Sequence, residues 1–163
     1  MRRYLFPGLC VIALVLALHT MTLASGVSGE LPVEQVEIVT AAGHRHAFSA
    51  HIAATPEARR RGLMYVTRLE PDEGMLFDFE SPRPVGMWMK NTPLSLDMLF
   101  IKADGTILNI HQRAIPHDET GINSEGPVQA VLELNGGTVA RLGIKPGDRV
   151  RHAIFGDSPT AKR

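Results

Sequence analysis

From Val33 to Val39, and again from Phe48 to Ala54, apolar and polar residues roughly alternate, with Gly43 and His44 between the two runs. A period of two puts alternate side chains on one face and predicts a β-hairpin. At Thr55-Pro56-Glu57 the pattern changes. Thr55 suits an N-cap, Pro56 the first helical position and Glu57 the positive end of the helix dipole. A short helix over Pro56 to Arg61 is therefore expected, closed by Gly62. Strands dominate afterwards. Met75, Phe77 and Phe79 share one face of a short strand that Ser81-Pro82-Arg83-Pro84 breaks. Leu96 to Ile101 and Ile107 to Ile110 are apolar runs joined through Asp104-Gly105, a strong hairpin signal. Val128, Ala130, Leu132 and Leu134 line one face of a later strand, leaving Gln129, Val131 and Glu133 on the other. A helical turn is expected over Thr138 to Leu142, and Pro146-Gly147-Asp148 turns the chain into a last strand, Arg149 to Phe155. Many short strands with little helix predict a mainly β fold: a compact antiparallel sandwich or barrel-like domain with one or two short helices.

The first thirty residues follow a different rule. Arg2 and Arg3 precede an apolar run from Leu5 to Leu18, and small and polar residues follow from Thr20 to Gly29. This is the build of a secretory signal peptide, and the run is short for a membrane span, which needs about 20 apolar residues. The expected organisation is a signal peptide over 1–25, a linker over 26–35, one β-rich domain over 36–156 and a flexible tail over 157–163. The domain is expected to be exported, periplasmic or secreted. The alternative is an uncleaved N-terminal segment that anchors it to the membrane. Cys10, the only cysteine, lies inside this segment, so a cleaved chain has no disulfide and no thiolate chemistry.

Charge narrows the partners. The whole chain carries 17 Lys and Arg against 17 Asp and Glu, and loss of Arg2 and Arg3 leaves it slightly acidic. There is no basic excess for nucleic acid and no polybasic membrane patch. The run Arg59-Arg60-Arg61 stands beside acidic residues and reads as local chemistry.

Six segments carry a resemblance. They are Arg61-Gly62-Leu63-Met64, Gly74-Met75-Leu76-Phe77-Asp78-Phe79, Met87-Trp88-Met89-Lys90-Asn91-Thr92-Pro93-Leu94, Leu96-Asp97-Met98-Leu99-Phe100-Ile101, Val131-Leu132-Glu133-Leu134-Asn135-Gly136-Gly137 and Gly143-Ile144-Lys145-Pro146-Gly147-Asp148. Taken in this order, they resemble the domain of unknown function family 192, also called uncharacterised protein family 0127, over Val36 to Phe155. The resemblance implies a compact β-sandwich-like fold with a short helix, usually behind a signal peptide. It implies no activity. Gly136-Gly137 departs from the Ala-Gly expected there.

Chemistry must then be sought residue by residue. Met87 to Asp97 is the densest stretch: Trp88 and Lys90 fall on one side of an extended segment, Met87 and Met89 on the other, and Asn91, Thr92 and Pro93 bend the chain before Asp97. An aromatic face, an ammonium, an amide and a carboxylate suit a polar ligand with an apolar body. The first reading is a binding or accessory module of the cell envelope. Its groove would be built from Arg61, Trp88, Lys90, Asn91, Asp97 and Glu133, and its ligand would be a small polar one such as a saccharide or envelope fragment. The second is a hydrolase in which Asp97 and Glu133 act as general acid and base, which requires them within about 5–10 Å across one cleft. The third is a soft-metal site in which thioethers such as Met87 and Met89 hold Cu(I). Against all three stands a structural role: Trp88 fills the core, Asn91 and Thr92 satisfy turn backbone, and Lys90 pairs with Asp97 or Glu133. His44-x-His46 is a weak ligand pair, and the sequence contains no HExxH, P-loop or nucleophile elbow. No cofactor is expected, and the oligomeric state is left open.

Overall fold

The computed structural model describes residues 31–159. The chain runs as β1 (Val33–Val39), β2 (Arg45–Ala53), α1 (Pro56–Arg61), β3 (Glu73–Arg83), β4 (Gly86–Met87), β5 (Leu96–Ile101), β6 (Ile107–Ala114), β7 (Ile122–Asn123), β8 (Val128–Asn135), α2 (Thr138–Leu142) and β9 (Arg149–Arg151), with a 3-10 turn over Ala153–Phe155. The fold is mainly β, a sheet curled into a half-barrel with two short helices.

Seven strands form the main sheet in the order β6-β5-β8-β3-β2-β1-β9, and β4 and β7 pair separately. Every pairing is antiparallel except β2 with β3, which run parallel. Parallel neighbours need a crossover, and the chain makes it through α1 and the segment after it. The sheet curls until its ends meet, since Thr106 bridges Arg149 and Val150 N–H donates to Gly105 C=O at 2.8 Å.

Curling gives the sheet two buried faces. The concave face encloses Val36, Ile38, Phe48, Leu76, Leu99, Ile101, Leu132, Leu134 and Val150. The convex face carries Met75, Phe77, Met98, Phe100 and Val131, covered by Leu63, Val66, Leu69, Val85 and Met89 from the loops. This is why β5 is buried at all six positions, and why Val131 and Glu133 on β8 are as buried as the stripe between them.

The sequence expectations meet three local differences. The strand expected to break at Ser81 runs on to Arg83, because a bulge between Asp78 and Arg83 removes Pro82 from the ladder, where its missing N–H would otherwise be needed. The last strand ends at Arg151, where His152 turns the chain into the 3-10 segment and accepts from Ile154 N–H at 3.4 Å. The third concerns the membrane. Among the described residues no helix is long and apolar enough to cross one, so the expectation of a membrane anchor is corrected for these residues. The apolar run Leu5 to Leu18 and the signal-peptide assignment lie outside the described residues.

Candidate functional site

Helix α1 forms where Thr55 caps it, its side-chain oxygen accepting from Ala58 N–H at 3.1 Å. Gly62 then ends it with a positive φ of 49°. A Cβ at Gly62 would stand 3.1 Å from the Phe77 ring, so glycine lets the helix end settle onto β3. Opposite α1 runs the segment Gly86 to Thr92. Its course is fixed from both sides: Tyr65 N–H donates to Asn91 C=O at 2.8 Å, Met89 N–H to Asp118 C=O at 2.9 Å, and His117 N–H to Thr92 C=O at 3.2 Å. Asn91 turns the segment with φ 52°, a left-handed conformation that asparagine tolerates better than most residues.

Between α1, β3 and this segment lies a cleft of about 540 Å³. Its deep lining is Leu63, Phe77, Thr92 and Glu133, all buried, and its rim is Arg60, Arg61, Arg83 and Trp88, all exposed. Met64, Met87 and Phe79 supply apolar wall between them. Five cations line the cleft (Arg59, Arg60, Arg61, Arg83 and Lys90), against one acid, Glu133.

Two of the five are spoken for. Arg59 donates to the carbonyls of Ala54 and Asp78 and pairs with Glu80, and Arg60 pairs with Glu57 at 2.8 Å. The other three form no ion pair among the described residues. Lys90 lies 5.3 Å from the centre of the Trp88 ring, and Arg83 lies 5.0 Å from that of Phe79. Both are cation–π contacts that hold a charge at the rim without neutralising it. Trp88 itself is 51 % exposed, so it does not fill the core.

Glu133 is the unusual group. It is 3 % exposed, and its neighbours across the sheet are Met75 on β3 and Met98 on β5, both fully buried. Among the described residues nothing donates a hydrogen bond to its carboxyl and no cation pairs with it. Burial alone pushes its pKa up to about 8, so the carboxyl is largely a neutral acid at pH 7.

Asp97 takes no part in this cleft. It lies opposite Leu134, whereas Glu133 lies opposite Met98, so the two side chains leave opposite faces of the sheet. The Asp97 carboxylate is fully buried, and three backbone N–H groups donate to it: Arg113 at 2.8 Å, Gly137 at 3.0 Å and Val139 at 2.8 Å. It thereby caps α2, whose own N-cap, Gly137, has no side chain to do so. The expected acid/base pair is corrected on this geometry, since Glu133 is the only acid in the cleft lining among the described residues.

The remaining expectations divide. Arg61, Trp88, Lys90 and Glu133 all line this cleft. Asn91 serves the turn through its backbone. Of the methionines proposed for a soft metal, Met87 lines the cleft while Met89 is fully buried in the convex core. Among the described residues no three His, Cys, Asp or Glu side chains gather as a metal site, and His44 and His46 lie away from the cleft lining. Arg83, Phe79 and Met64 belong to the site although sequence reasoning missed them. Arg83 sits between two prolines and reads as part of a breaker. The signal that points to Phe79 is its place on the Met75-Phe77-Phe79 face, where the last ring is left for the rim.

Similar structures share this framework. A protein from Sinorhizobium meliloti 1021, proposed to be a transcription regulator, is 54% identical, with a TM-score of 0.75 over 76% of this chain and 96% of its own. A protein of unknown function from Novosphingobium aromaticivorans DSM 12444 is 44% identical, with a TM-score of 0.74 over 77% of this chain and 89% of its own. No match was found among curated proteins. The family model DUF192, described as Uncharacterized ACR, matches residues 37–152, a span that holds α1, the Trp88 segment and every strand that frames the cleft. The chain belongs to the DUF192 family.

Proposed function

We propose that the chain is a ligand-binding module whose cleft takes a small anionic ligand with an apolar or ring-shaped body, an acidic saccharide or envelope fragment being the class that fits the size. The observation that carries this reading is the buried Glu133 carboxyl, left without a partner in the deep lining of a cleft whose every other charged group is a cation. Among the described residues the enclosed side-chain atoms without a partner are His46 Nε2 and His51 Nδ1. The Glu133 oxygens instead open onto the cleft, where a ligand group can reach them. The rim explains the sign of that ligand. Arg61, Arg83 and Lys90 have no acidic partner among the described residues and would meet a carboxylate or phosphate, Arg with its planar fork. Trp88 and Phe79 offer ring faces, each with a cation beside it. The volume of about 540 Å³ falls inside the range of roughly 300–1,000 Å³ usual for small-molecule sites.

Trp88 is the only tryptophan, so its emission reports on the rim alone. The test is titration of the purified chain with glucuronate, glucose 6-phosphate, glucose and N-acetylglucosamine. The two anions are expected to give a saturable change that weakens with salt and is lost in Arg61→Ala and Lys90→Ala. Equal responses to charged and neutral sugars, or none to either, would overturn the reading.

A further inference from the structure

We infer that Glu133 engages the inner end of this ligand as a neutral acid and selects there a group that presents N–H and C=O side by side: a primary carboxamide, a lactam or an imide edge. The inference rests on the binding reading above and names the ligand class more narrowly, as an anion at one end with such an amide edge at the other.

Four kinds of group could face a buried carboxyl. A lone hydroxyl, with donor and acceptor on one atom, meets only one edge of it well. A cation would favour its ionised form, but it would have to pass Arg59, Arg60 and Arg61 on α1, Arg83 on β3 and Lys90 on the opposing segment, which are all the other charged groups lining the cleft. A second anion would be desolvated between Met75 and Met98 with one O–H to receive it, while the unpaired cations stand at the rim. A syn amide avoids both penalties. A protonated carboxyl has one O–H donor and one C=O acceptor on the same edge, and the amide edge offers their complements, so two hydrogen bonds close a ring with no buried charge. Among the described residues no side chain bonds to the carboxyl: the Thr92 hydroxyl, also in the deep lining, donates to Lys90 C=O at 3.1 Å.

The test uses pairs of probes that differ only at the inner group, read by Trp88 emission: 5-oxoproline against cyclopentanecarboxylate, and uridine 5′-phosphate against its N3-methyl derivative. The amide member of at least one pair should bind about tenfold tighter. That preference should fade as pH rises through about 8, where the carboxyl ionises. Glu133→Gln should keep the preference, because its carboxamide also presents a donor beside an acceptor, but without the fading. Glu133→Leu should abolish the preference, so that the two members of each pair bind alike. If the plain anions bind but neither pair is discriminated, or if Glu133→Leu keeps the preference, the inference falls and the anion-binding reading stands. If no anion binds, both fall. Should Glu133→Leu fail to fold, the contrasting pH profiles of the wild type and Glu133→Gln decide the matter.

Discussion

Asp97 and Glu133 sit on neighbouring strands one register step apart, and that single step sends their carboxyls to opposite faces of the sheet. The outcomes are opposite too. Asp97 collects three backbone N–H donors and closes the start of α2, while Glu133 collects none and faces a cleft. Two buried acids in one sheet therefore do different work: one holds the fold, and the other is available for binding.

Asp97→Ala should destabilise the chain by about 3–5 kcal/mol, because it leaves three donors unsatisfied around a buried site. Asp97→Asn should lose less, since its amide oxygen can still accept from some of them. Urea unfolding of the two variants checks the order. A loss below about 1 kcal/mol for alanine would mean that the cap contributes little.

The short-range chemistry of the chain was legible from the residues. Thr55, Pro56 and Gly62 delimit α1 as they suggest, and Asp104-Gly105 turns β5 into β6. Local signals suffice there because caps and turns satisfy backbone groups a few residues away. The candidate site was half legible. Trp88 and Lys90 stand in one cluster of polar and aromatic residues in the sequence, and the fold brings Arg61 from the end of α1 to the same cleft. The roles of Asp97 and Glu133 depend on which residue faces which across β5 and β8, strands separated by β6 and β7. No local pattern carries that register. Periodicity misleads at Glu133 for a related reason: alternation implies a solvent face, but the loops from Leu63 to Leu69 and from Val85 to Met89 cover the convex side.

Gly74 is a packing requirement of the site. It pairs with Leu134, and a Cβ there would stand 2.7 Å from the Glu133 backbone oxygen and 2.8 Å from Leu134 Cδ2. The oxygen belongs to the strand itself, so β3 and β8 would have to part. Gly74→Ala should therefore destabilise by about 1–3 kcal/mol and also weaken anion binding, since Glu133 moves with its backbone. Thermal unfolding and Trp88 titration on the same preparation test this, and an unchanged melting temperature would refute the clash.

Trp88 and Met89 are adjacent and should behave oppositely. Met89 is fully buried in the convex core, so Met89→Ala should destabilise by about 2–5 kcal/mol. Trp88 is half exposed and stacked by Lys90, a contact worth about 0.5–1 kcal/mol at such a site, so Trp88→Ala should barely shift the unfolding midpoint. Its effect should appear in binding, which calorimetry can follow once the fluorophore is gone. A Trp88→Ala variant as unstable as Met89→Ala would make the ring part of the core.

Glu133 should also write a pH dependence into stability. Its pKa is raised by burial to about 8 in the folded chain, against an ordinary 4.5. Between those values the folded chain holds a proton that the unfolded chain has released, so the folded state binds more protons. Stability must therefore fall as pH rises across this window, and this group adds no slope below about 4 or above about 8. The total loss is on the order of a few kcal/mol, because each tenfold difference in proton affinity between the two states is worth about 1.4 kcal/mol. Other groups titrate in the same range, and subtracting the profile of Glu133→Gln isolates this one. The wild-type urea midpoint should drop between pH 5 and pH 8 by more than that of Glu133→Gln, with the two curves diverging most steeply at about pH 6, midway between the two pKa values. Parallel curves would mean that the carboxyl is already ionised at low pH, and the neutral-acid account of the cleft would go with them.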